Sequence, residues 1–282
     1  MAQTYILTFT CADRAGVIHA ITGAVLEVGG NILEQAQFTD EDSGQFCLRT
    51  RFEAELEDAD AVSAAIAART AEFDPVVTLR PEQQRRRVLI MVSAYDHCLV
   101  DLLYRHGTGE LRIDIPVVVS NHEALRGLVE RHGIPFVHLP VTPETKPTQE
   151  AEVLRLVAEH RIDVVVLARY MQVLSDSLCA AMSGRIINIH HSFLPGFKGA
   201  RPYHQAHARG VKLIGATAHF VTADLDEGPI IEQEVERVDH SHTAEDLAEI
   251  GRDVERLVLS RAVRSFAEDR ILLTGQRTVV FG

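Results

Sequence analysis

The feature that most constrains the fold is a series of short apolar runs that alternate with stretches of helical spacing from residue 88 onward. The runs fall at residues 88–93, 115–120, 135–139, 164–167 and 186–189. A continuous apolar run is typical of a strand that is buried on both faces of a parallel sheet. Strands that alternate with helices in this way predict a mostly parallel, Rossmann-like sheet with helices on both faces. Because the turn at residues 93–97 lacks G-x-G-x-x-G, no dinucleotide site is predicted.

Residues 1–80 follow a different pattern. Predicted strands at 3–10, 31–38, 45–52 and 76–79 and predicted helices at 17–26 and 58–70 give the order βαββαβ. That order is the ferredoxin-like arrangement. The polar segment 81–87 is interpreted as a solvated linker, despite its Arg85-Arg86-Arg87 triplet. The sequence therefore predicts an α/β chain with a ferredoxin-like domain at 1–80, a linker at 81–87 and a second domain at 88–282.

Composition excludes several classes of function. The net charge of −12 disfavours a broad nucleic-acid footprint, which needs clustered Lys and Arg. No apolar run reaches the length that spans a bilayer, and the N-terminus lacks the pattern of a secretory signal. The four cysteines form no C-x-x-C pair and lie among apolar neighbours, which predicts buried, reduced thiols. We expect a cytoplasmic protein with no nucleic-acid and no membrane partner.

A polar pair marks the end of the last buried run. Asn188 and His190 are two residues apart, so on a strand they point to the same face. The stretch 188–199 then turns into a loop at Pro195-Gly196. Such an edge is where an open α/β sheet usually binds its ligand. Alone, however, an Asn and a His near a strand end are more often structural groups than catalysts.

Three segments that occur in a fixed order change this interpretation. They are Asn188-Ile189-His190, Ser192-Phe193-Leu194-Pro195, and His219-Phe220-Val221 followed by Asp226-Glu227-Gly228-Pro229-Ile230-Ile231. Together they resemble the signature of the folate-dependent formyltransferase family. Residues 1–80 resemble an ACT domain through Asp13-Arg14-x-Gly16 and Gly29-Gly30-Asn31-Ile32. The combination of both domains with the loop His-His-Ser-Phe-Leu-Pro is similar to the 10-formyltetrahydrofolate deformylases within that family.

The resemblance implies hydrolysis of 10-formyltetrahydrofolate to formate and tetrahydrofolate, which supplies formate for purine synthesis and balances one-carbon pools. An amide donor such as Asn188 can stabilise the tetrahedral oxyanion. His190 can pass a proton to the leaving nitrogen, and Asp226 can position the attacking water. His191 and His219 are expected to support these three. The folate-binding residues implied by the resemblance are Tyr170, Met171, Gln172, Leu174, Thr222 and Asp224.

No cofactor beyond the folate substrate is expected. There is no H-E-x-x-H motif, and His204-x-x-His207 has no nearby Cys or carboxylate partner, so a metal site is not predicted. The ACT resemblance implies pairing of copies, hence a dimer or tetramer. It also implies a possible amino-acid effector, for which the candidate residues are Asp13, Gly16, Gly30 and Asn31.

Two alternatives remain open at this point. The first is a formyltransferase of the same fold with an amine acceptor. Glycinamide ribonucleotide members of the family carry a Gly- and Ser-rich phosphate loop after the first strand, whereas residues 93–98 here contain no glycine. Transferases also usually have Pro where this chain has His191. The second alternative is a non-catalytic sensor that binds an amino acid through its ACT domain.

Overall fold

The structure is a computed structural model that describes residues 2–196 and 202–282. Residues 197–199 of the stretch singled out above lie outside this range. The chain divides into two compact units. The first consists of Met1–Arg85 together with Glu268–Gly282, and the second of Arg86–Ala267.

The first unit has the predicted ferredoxin-like order. Its elements are β1 (Gln3–Ala12), α1 (Val17–Glu27), β2 (Asn31–Asp40), β3 (Gln45–Ala54), α2 (Ala59–Thr70) and β4 (Val76–Pro81). The four strands form one antiparallel sheet in the order β2-β3-β1-β4. Apolar side chains of β1 and β3, such as Leu7, Phe9 and Leu48, are fully buried in a core with Ile21 of α1 and Ile66 of α2. The predicted ferredoxin-like fold is confirmed.

The second unit begins at Arg86 rather than Val88. Its elements are β5 (Arg86–Val92), α3 (His97–Gly107), β6 (Ile113–Ser120), α4 (Arg126–Arg131), β7 (Phe136–His138), α5 (Lys146–Glu159), β8 (Val164–Leu167), α6 (Asp176–Ala181), β9 (Ile186–His190), α7 (Pro202–Arg209), β10 (Leu213–Phe220), β11 (Ile230–Arg237) and α8 (Ala244–Ala267). Since β4 ends at Pro81, the segment without regular structure between the units is residues 82–85, shorter than the predicted linker 81–87.

The second unit is built on a seven-stranded sheet in the order β11-β10-β9-β8-β5-β6-β7. Strands β5 to β9 are parallel, and β10 and β11 add antiparallel neighbours at one side. This confirms the predicted mostly parallel sheet. Its register matters for the site, because Asn188 of β9 lies opposite Leu167 of β8 on one side and opposite His219 of β10 on the other.

The C-terminal residues correct the predicted domain boundary. The strands β12 (Ile271–Thr274) and β13 (Arg277–Val280) form a hairpin that belongs to the first unit, so the prediction that the second domain extends to residue 282 was wrong. Leu272 and Phe281 pack against Cys47 of β3. Arg80 also binds Asp269 at 2.5 Å in an ion pair in which both side chains are 8% exposed. These long-range contacts place the hairpin, and nothing in its local sequence reveals them.

One helix is shorter than predicted. The sequence suggests a helix over 122–132 capped by Asn121, whereas α4 covers Arg126–Arg131. The Asn121 carboxamide oxygen instead accepts a hydrogen bond from the Ser93 hydroxyl at 2.7 Å. The expected cap is therefore used to join the ends of β5 and β6, and the helix starts later.

Two predictions from composition agree with the structure. All four cysteines are buried and unpaired. Within residues 2–196 and 202–282, none of the helices combines the length and the apolar character that crossing a bilayer requires.

Candidate active site

A cavity of about 230 Å³ in the second unit collects the side chains that the sequence singles out. Its walls come from β9 and from the loops that follow β8 and β10. The predicted catalytic residues Asn188, His190 and Asp226 line it. It is also lined by the predicted supporting and folate-binding residues His191, His219, Tyr170, Met171, Gln172, Leu174, Thr222 and Asp224. The fold thus joins segments that are distant in sequence, while the individual roles of these residues stay predictions.

Asn188 is oriented by His219 on the neighbouring strand. His219 Nδ1–H donates to the carbonyl oxygen of Phe220 at 2.8 Å, so its Nε2 carries the lone pair. The Asn188 amide Nδ2 lies 3.2 Å from that Nε2 and donates to it. Burial lowers the pKa of His219, although the Phe220 carbonyl and Asp226 oppose the shift. The neutral ring therefore holds one amide hydrogen of Asn188 and leaves the second for an oxyanion.

His190 and Asp226 form a buried pair. His190 Nδ1 lies 3.2 Å from Asp226 Oδ1, and the two side chains are only 6% and 12% exposed. The carboxylate accepts from Nδ1–H, which leaves Nε2 of the neutral ring with a lone pair. This Nε2 is buried and has no hydrogen-bond partner among the residues that the structure describes. A buried nitrogen on the cavity wall is suited to exchange a proton with a bound molecule.

The charge of Asp226 is maintained by its histidine neighbours. Burial alone would raise the pKa of this carboxyl group, but the hydrogen bond with His190 and the electrostatic influence of the His190, His219 and His191 side chains lower it below the ordinary value. Asp226 is therefore ionised at neutral pH. An ionised carboxylate in this position can hold a water molecule and accept its proton.

The turn that carries Asp226 depends on the glycine two residues later. Asp226 has a φ of +58°, in the left-handed region that few side chains adopt. A Cβ atom at Gly228 would lie 1.7 Å from the carbonyl oxygen of Phe220 at the end of β10. Only a residue without a side chain allows this approach. The Asp-x-Gly spacing therefore sets the position of the carboxylate.

The loop after β9 is tied to the sheet by Thr217. The Thr217 hydroxyl accepts from the backbone N–H of Leu194 at 3.0 Å and donates to the carbonyl oxygen of Ser192 at 3.0 Å. Gln233 of β11 donates to the same hydroxyl and to the carbonyl oxygen of Leu194. These bonds hold residues 192–194 against β10 and fix the direction in which the chain leaves His190 and His191.

The predicted folate-binding residues differ in how they face the cavity. Tyr170 is buried, and its hydroxyl binds Gln149 inside the core, so it forms the floor. Met171 is 50% exposed at the rim, where its backbone N–H donates to the Ser93 hydroxyl. The Thr222 hydroxyl donates to the carbonyl oxygen of Asp224 within its own loop. Leu225 and Val173 add exposed apolar surface at the rim, which the sequence did not single out.

Arg169 is a charged cavity residue to which the sequence assigned no role. It lies in the loop after β8 with a φ of +63°, and its guanidinium is 5.2 Å from the centre of the Tyr95 ring. Its Nε lies 3.4 Å from Glu255 of α8, and its Nη1 lies 2.5 Å from His191 Nδ1. The only sequence signal was a charged residue within the mostly apolar stretch 167–174, at a position where transferases commonly have a small residue.

Comparison with known proteins agrees with this geometry. Residues 86–263 match the family model described as formyl transferase. Over 278 residues the chain is 48% identical to the formyltetrahydrofolate deformylase of Corynebacterium sp. (strain P-1), covering 98% of this chain and 97% of that protein. The chain belongs to the formyltetrahydrofolate deformylase family. The crystal structure of the family member from Burkholderia mallei ATCC 23344 is 50% identical, covers 99% of this chain and 100% of its own, and superposes with a TM-score of 0.96.

A more distant neighbour covers less of this chain. Glycinamide ribonucleotide transformylase 1 from Symbiobacterium toebii is 32% identical with a TM-score of 0.65. It covers 70% of this chain and 94% of its own length. The deformylase family shares the fold of its catalytic unit with this transformylase, and the match leaves a substantial part of the present chain uncovered.

One group of side chains in this deformylase-family chain has the spacing of a metal site. Among the described residues, His97, Cys98 and Glu255 place their ligand atoms within 4.8 Å of one another. The Glu255 oxygens, however, already accept hydrogen bonds from His97 and from Tyr203. Arg169 adds a positive charge beside the same carboxylate, where a metal cation would be repelled. This donor set does not fit a metal.

The predicted effector residues do not form one group. Gly16 precedes α1 and lines a groove between α1 and α2. Gly30 and Asn31 follow the other end of this 11-residue helix, and Asn31 binds Glu53 at 3.2 Å. Asp13, Gly30 and Asn31 do not line the groove. Because the helix separates the two pairs by about 16 Å, a single small effector cannot contact all four residues of one chain.

Proposed function

We propose that this chain hydrolyses 10-formyltetrahydrofolate to formate and tetrahydrofolate. The observation that carries the proposal is the convergence of Asn188, His190 and Asp226 in one cavity of a member of the deformylase family. The formate would supply purine synthesis, and the reaction would balance the pools of one-carbon folates.

The proposed reaction begins with attack of a water oxygen on the formyl carbon. The His190–Asp226 pair accepts the proton of the water, and Asn188 donates its free amide hydrogen to the oxyanion that forms. The pair then returns the proton to the leaving nitrogen as the C–N bond breaks. The product of this step is formic acid, which loses its remaining proton to solvent and leaves as formate, so atoms and charge balance without a covalent enzyme intermediate. An oxyanion donor of this kind lowers the barrier by about 3 kcal/mol.

The surroundings of the cavity favour water over an amine acceptor. The turn after β5 contains no glycine, so its backbone is not suited to wrap around a phosphate. Instead it supplies Tyr95 and His97, whose side chains contact Arg169 and Glu255. The turn that a phosphorylated acceptor would need therefore makes contacts within the protein instead.

We also propose the finer properties that accompany this function. The reaction needs no cofactor and no metal, because the proton transfers use side chains alone. The protein acts in the cytoplasm as a dimer or tetramer that pairs through its ACT domain, and the groove at Gly16, with Arg69 and Glu72 in its walls, supports an amino-acid effector. Sedimentation and an amino-acid binding screen would test these properties.

The test of the function is formate release by the purified full-length chain from 10-formyltetrahydrofolate, with and without an added amine. Asp226→Asn keeps the shape of the side chain and is expected to lower kcat by about 10²-fold to 10⁴-fold. Asp253→Asn, on the exposed surface of α8 with its side chain 67% exposed, is the matched control and should retain full activity. Amine-dependent turnover, or an Asp226→Asn variant as active as the control, would contradict the proposal.

A further inference from the structure

A cluster of polar side chains lies beside the cavity, centred on Glu255. This glutamate is on α8 and its side chain is 1% exposed. Its Oε2 lies 2.8 Å from His97 Nε2 and 3.4 Å from Arg169 Nε, and its Oε1 accepts from the Tyr203 hydroxyl at 2.6 Å. Two hydrogen bonds and one ion pair, from three different segments, thus surround one buried carboxylate. None of them has a role in the reaction as described so far.

Two further observations show that the cluster is built to hold a charge. Burial alone would raise the pKa of Glu255, but the hydrogen bond from His97, the charge of Arg169 and the Tyr203 hydroxyl lower it, so the carboxylate is ionised. At Gly251, one turn before Glu255 on α8, a Cβ atom would lie 2.1 Å from the Tyr203 hydroxyl oxygen. Gly251 therefore leaves the space on α8 that the Tyr203 ring needs in order to reach Glu255.

Arg169 extends the cluster to the active site. Its Nη1 lies 2.5 Å from His191 Nδ1. A guanidinium can only donate, so His191 Nδ1 must be the acceptor, and the neutral ring then carries its hydrogen on Nε2. The same guanidinium is held on its other side by Glu255. The Arg169 guanidinium thus lies between the buried Glu255 carboxylate and the Nδ1 atom of His191.

The His191 ring borders two cavities. One is the catalytic cavity, and the other is a separate, mostly apolar cavity of about 370 Å³ that is lined by Phe193, Tyr203 and Leu213. The hydrogen bond from Arg169 is a directional contact, so it favours one orientation of this ring. His191 also stacks on His190, with ring centres 5.0 Å apart and planes 16° apart. The orientation of His191 therefore bears directly on the ring of His190.

We propose that Arg169, held by Glu255, is a positioning residue for the hydrolysis: it fixes His191 as an Nε2-protonated ring and so keeps the stacked His190 aligned with Asp226. Arg169 acts through His191 and need not touch the reacting atoms. Among the described residues, the groups that face His191 include Arg169, His190 and the Tyr203 ring, with the charge of Asp226 nearby. This inference rests on the proposed function.

The first measurement needs no turnover, and it uses a variant only to assign one signal. The full-length chain is labelled with ¹⁵N-histidine, and the long-range ¹H–¹⁵N spectrum is recorded at neutral pH, with His191 assigned by its loss in His191→Asn. We expect His191 to show an unprotonated Nδ1 and a protonated Nε2. A His191 ring protonated on Nδ1, or averaged between the two tautomers, would overturn the proposal.

The second measurement compares variants. Arg169→Met keeps the length of the stem and removes the donor, and we expect a mixed His191 tautomer with kcat lowered about tenfold and KM changed less than about twofold. Because this change removes the arginine charge beside the buried Glu255 carboxylate, the double variant Arg169→Met/Glu255→Gln removes both charges and should show the same loss. Arg155→Met, with the arginine side chain 57% exposed on α5, is the control and should leave both readouts unchanged.

The outcomes separate the two proposals. Unchanged kcat and an unchanged His191 spectrum in the double variant would overturn the positioning role while leaving the hydrolysis intact. Lack of formate release by the unsubstituted chain, with His191 in the expected tautomer, would instead overturn the proposed function.

Discussion

The contact between Asn188 and His219 allows a quantitative prediction about how the oxyanion donor is held. His219 accepts one amide hydrogen of Asn188 at 3.2 Å and is itself fixed by the Phe220 carbonyl oxygen. Asn188→Ala removes the donor, so kcat should fall by about 10²-fold to 10³-fold. His219→Ala leaves the donor in place but free to rotate. A neutral hydrogen bond of this kind contributes about 1 kcal/mol, so we expect roughly a fivefold loss of kcat.

The assay is a double-mutant cycle on kcat for formate release, with folding of each variant checked by circular dichroism. If His219 acts by orienting Asn188, its substitution costs nothing further once Asn188 is absent, and the double variant matches Asn188→Ala. His219→Gln can still accept through its amide oxygen and should lose less than His219→Ala. Losses that multiply in the double variant would refute the reasoning, because His219 would then act independently of Asn188.

Three further predictions concern stability and the Asp226 turn. The pKa of Asp226 in the folded chain is below its ordinary value of 3.8, so the stability that its ionised form contributes is complete above pH 3.8 and is lost as the pH falls below it. We therefore expect the free energy of unfolding, measured across this pH range, to depend less on pH in Asp226→Asn than in the unsubstituted chain. Gly228→Ala should abolish formate release, because the added Cβ would collide with the Phe220 carbonyl oxygen. Gly127→Ala is the control and should retain activity, because a Cβ atom there would have no heavy atom within 4 Å. An active Gly228→Ala enzyme would show that the turn can move. Asp269→Asn should destabilise the first unit by about 3 kcal/mol in denaturant unfolding, because it removes the negative charge that pairs with the buried guanidinium of Arg80. Glu152→Gln, at an exposed ion pair, should change stability by less than about 1 kcal/mol.

The sequence predicts the strands of both units well, because a buried strand shows its apolar pattern within its own few residues. It also selects Asn188, His190 and Asp226 as candidate catalytic residues, because the segments that carry them resemble a family signature when they occur together. Each segment alone is a weak signal, and the catalytic roles stay predictions. It does not reveal the contact between Arg169 and Glu255, because an isolated arginine and a glutamate within a long helix have no local feature that pairs them. The start of α4 was misplaced for a similar reason: Asn121 looks like a cap, yet Ser93 binds its side chain.

The C-terminal hairpin has a consequence for how this chain can be cut. Because β12 and β13 complete the first unit, the catalytic unit is an insertion within a discontinuous domain, and two covalent connections join them. A protease that nicks residues 82–85 therefore cannot release the catalytic unit, since the path through Ala267 and Glu268 remains. A recombinant fragment that spans residues 86–267 begins and ends at the two unit boundaries. A fragment that starts at residue 88 and runs to the end instead carries the hairpin without the rest of the unit to which it belongs.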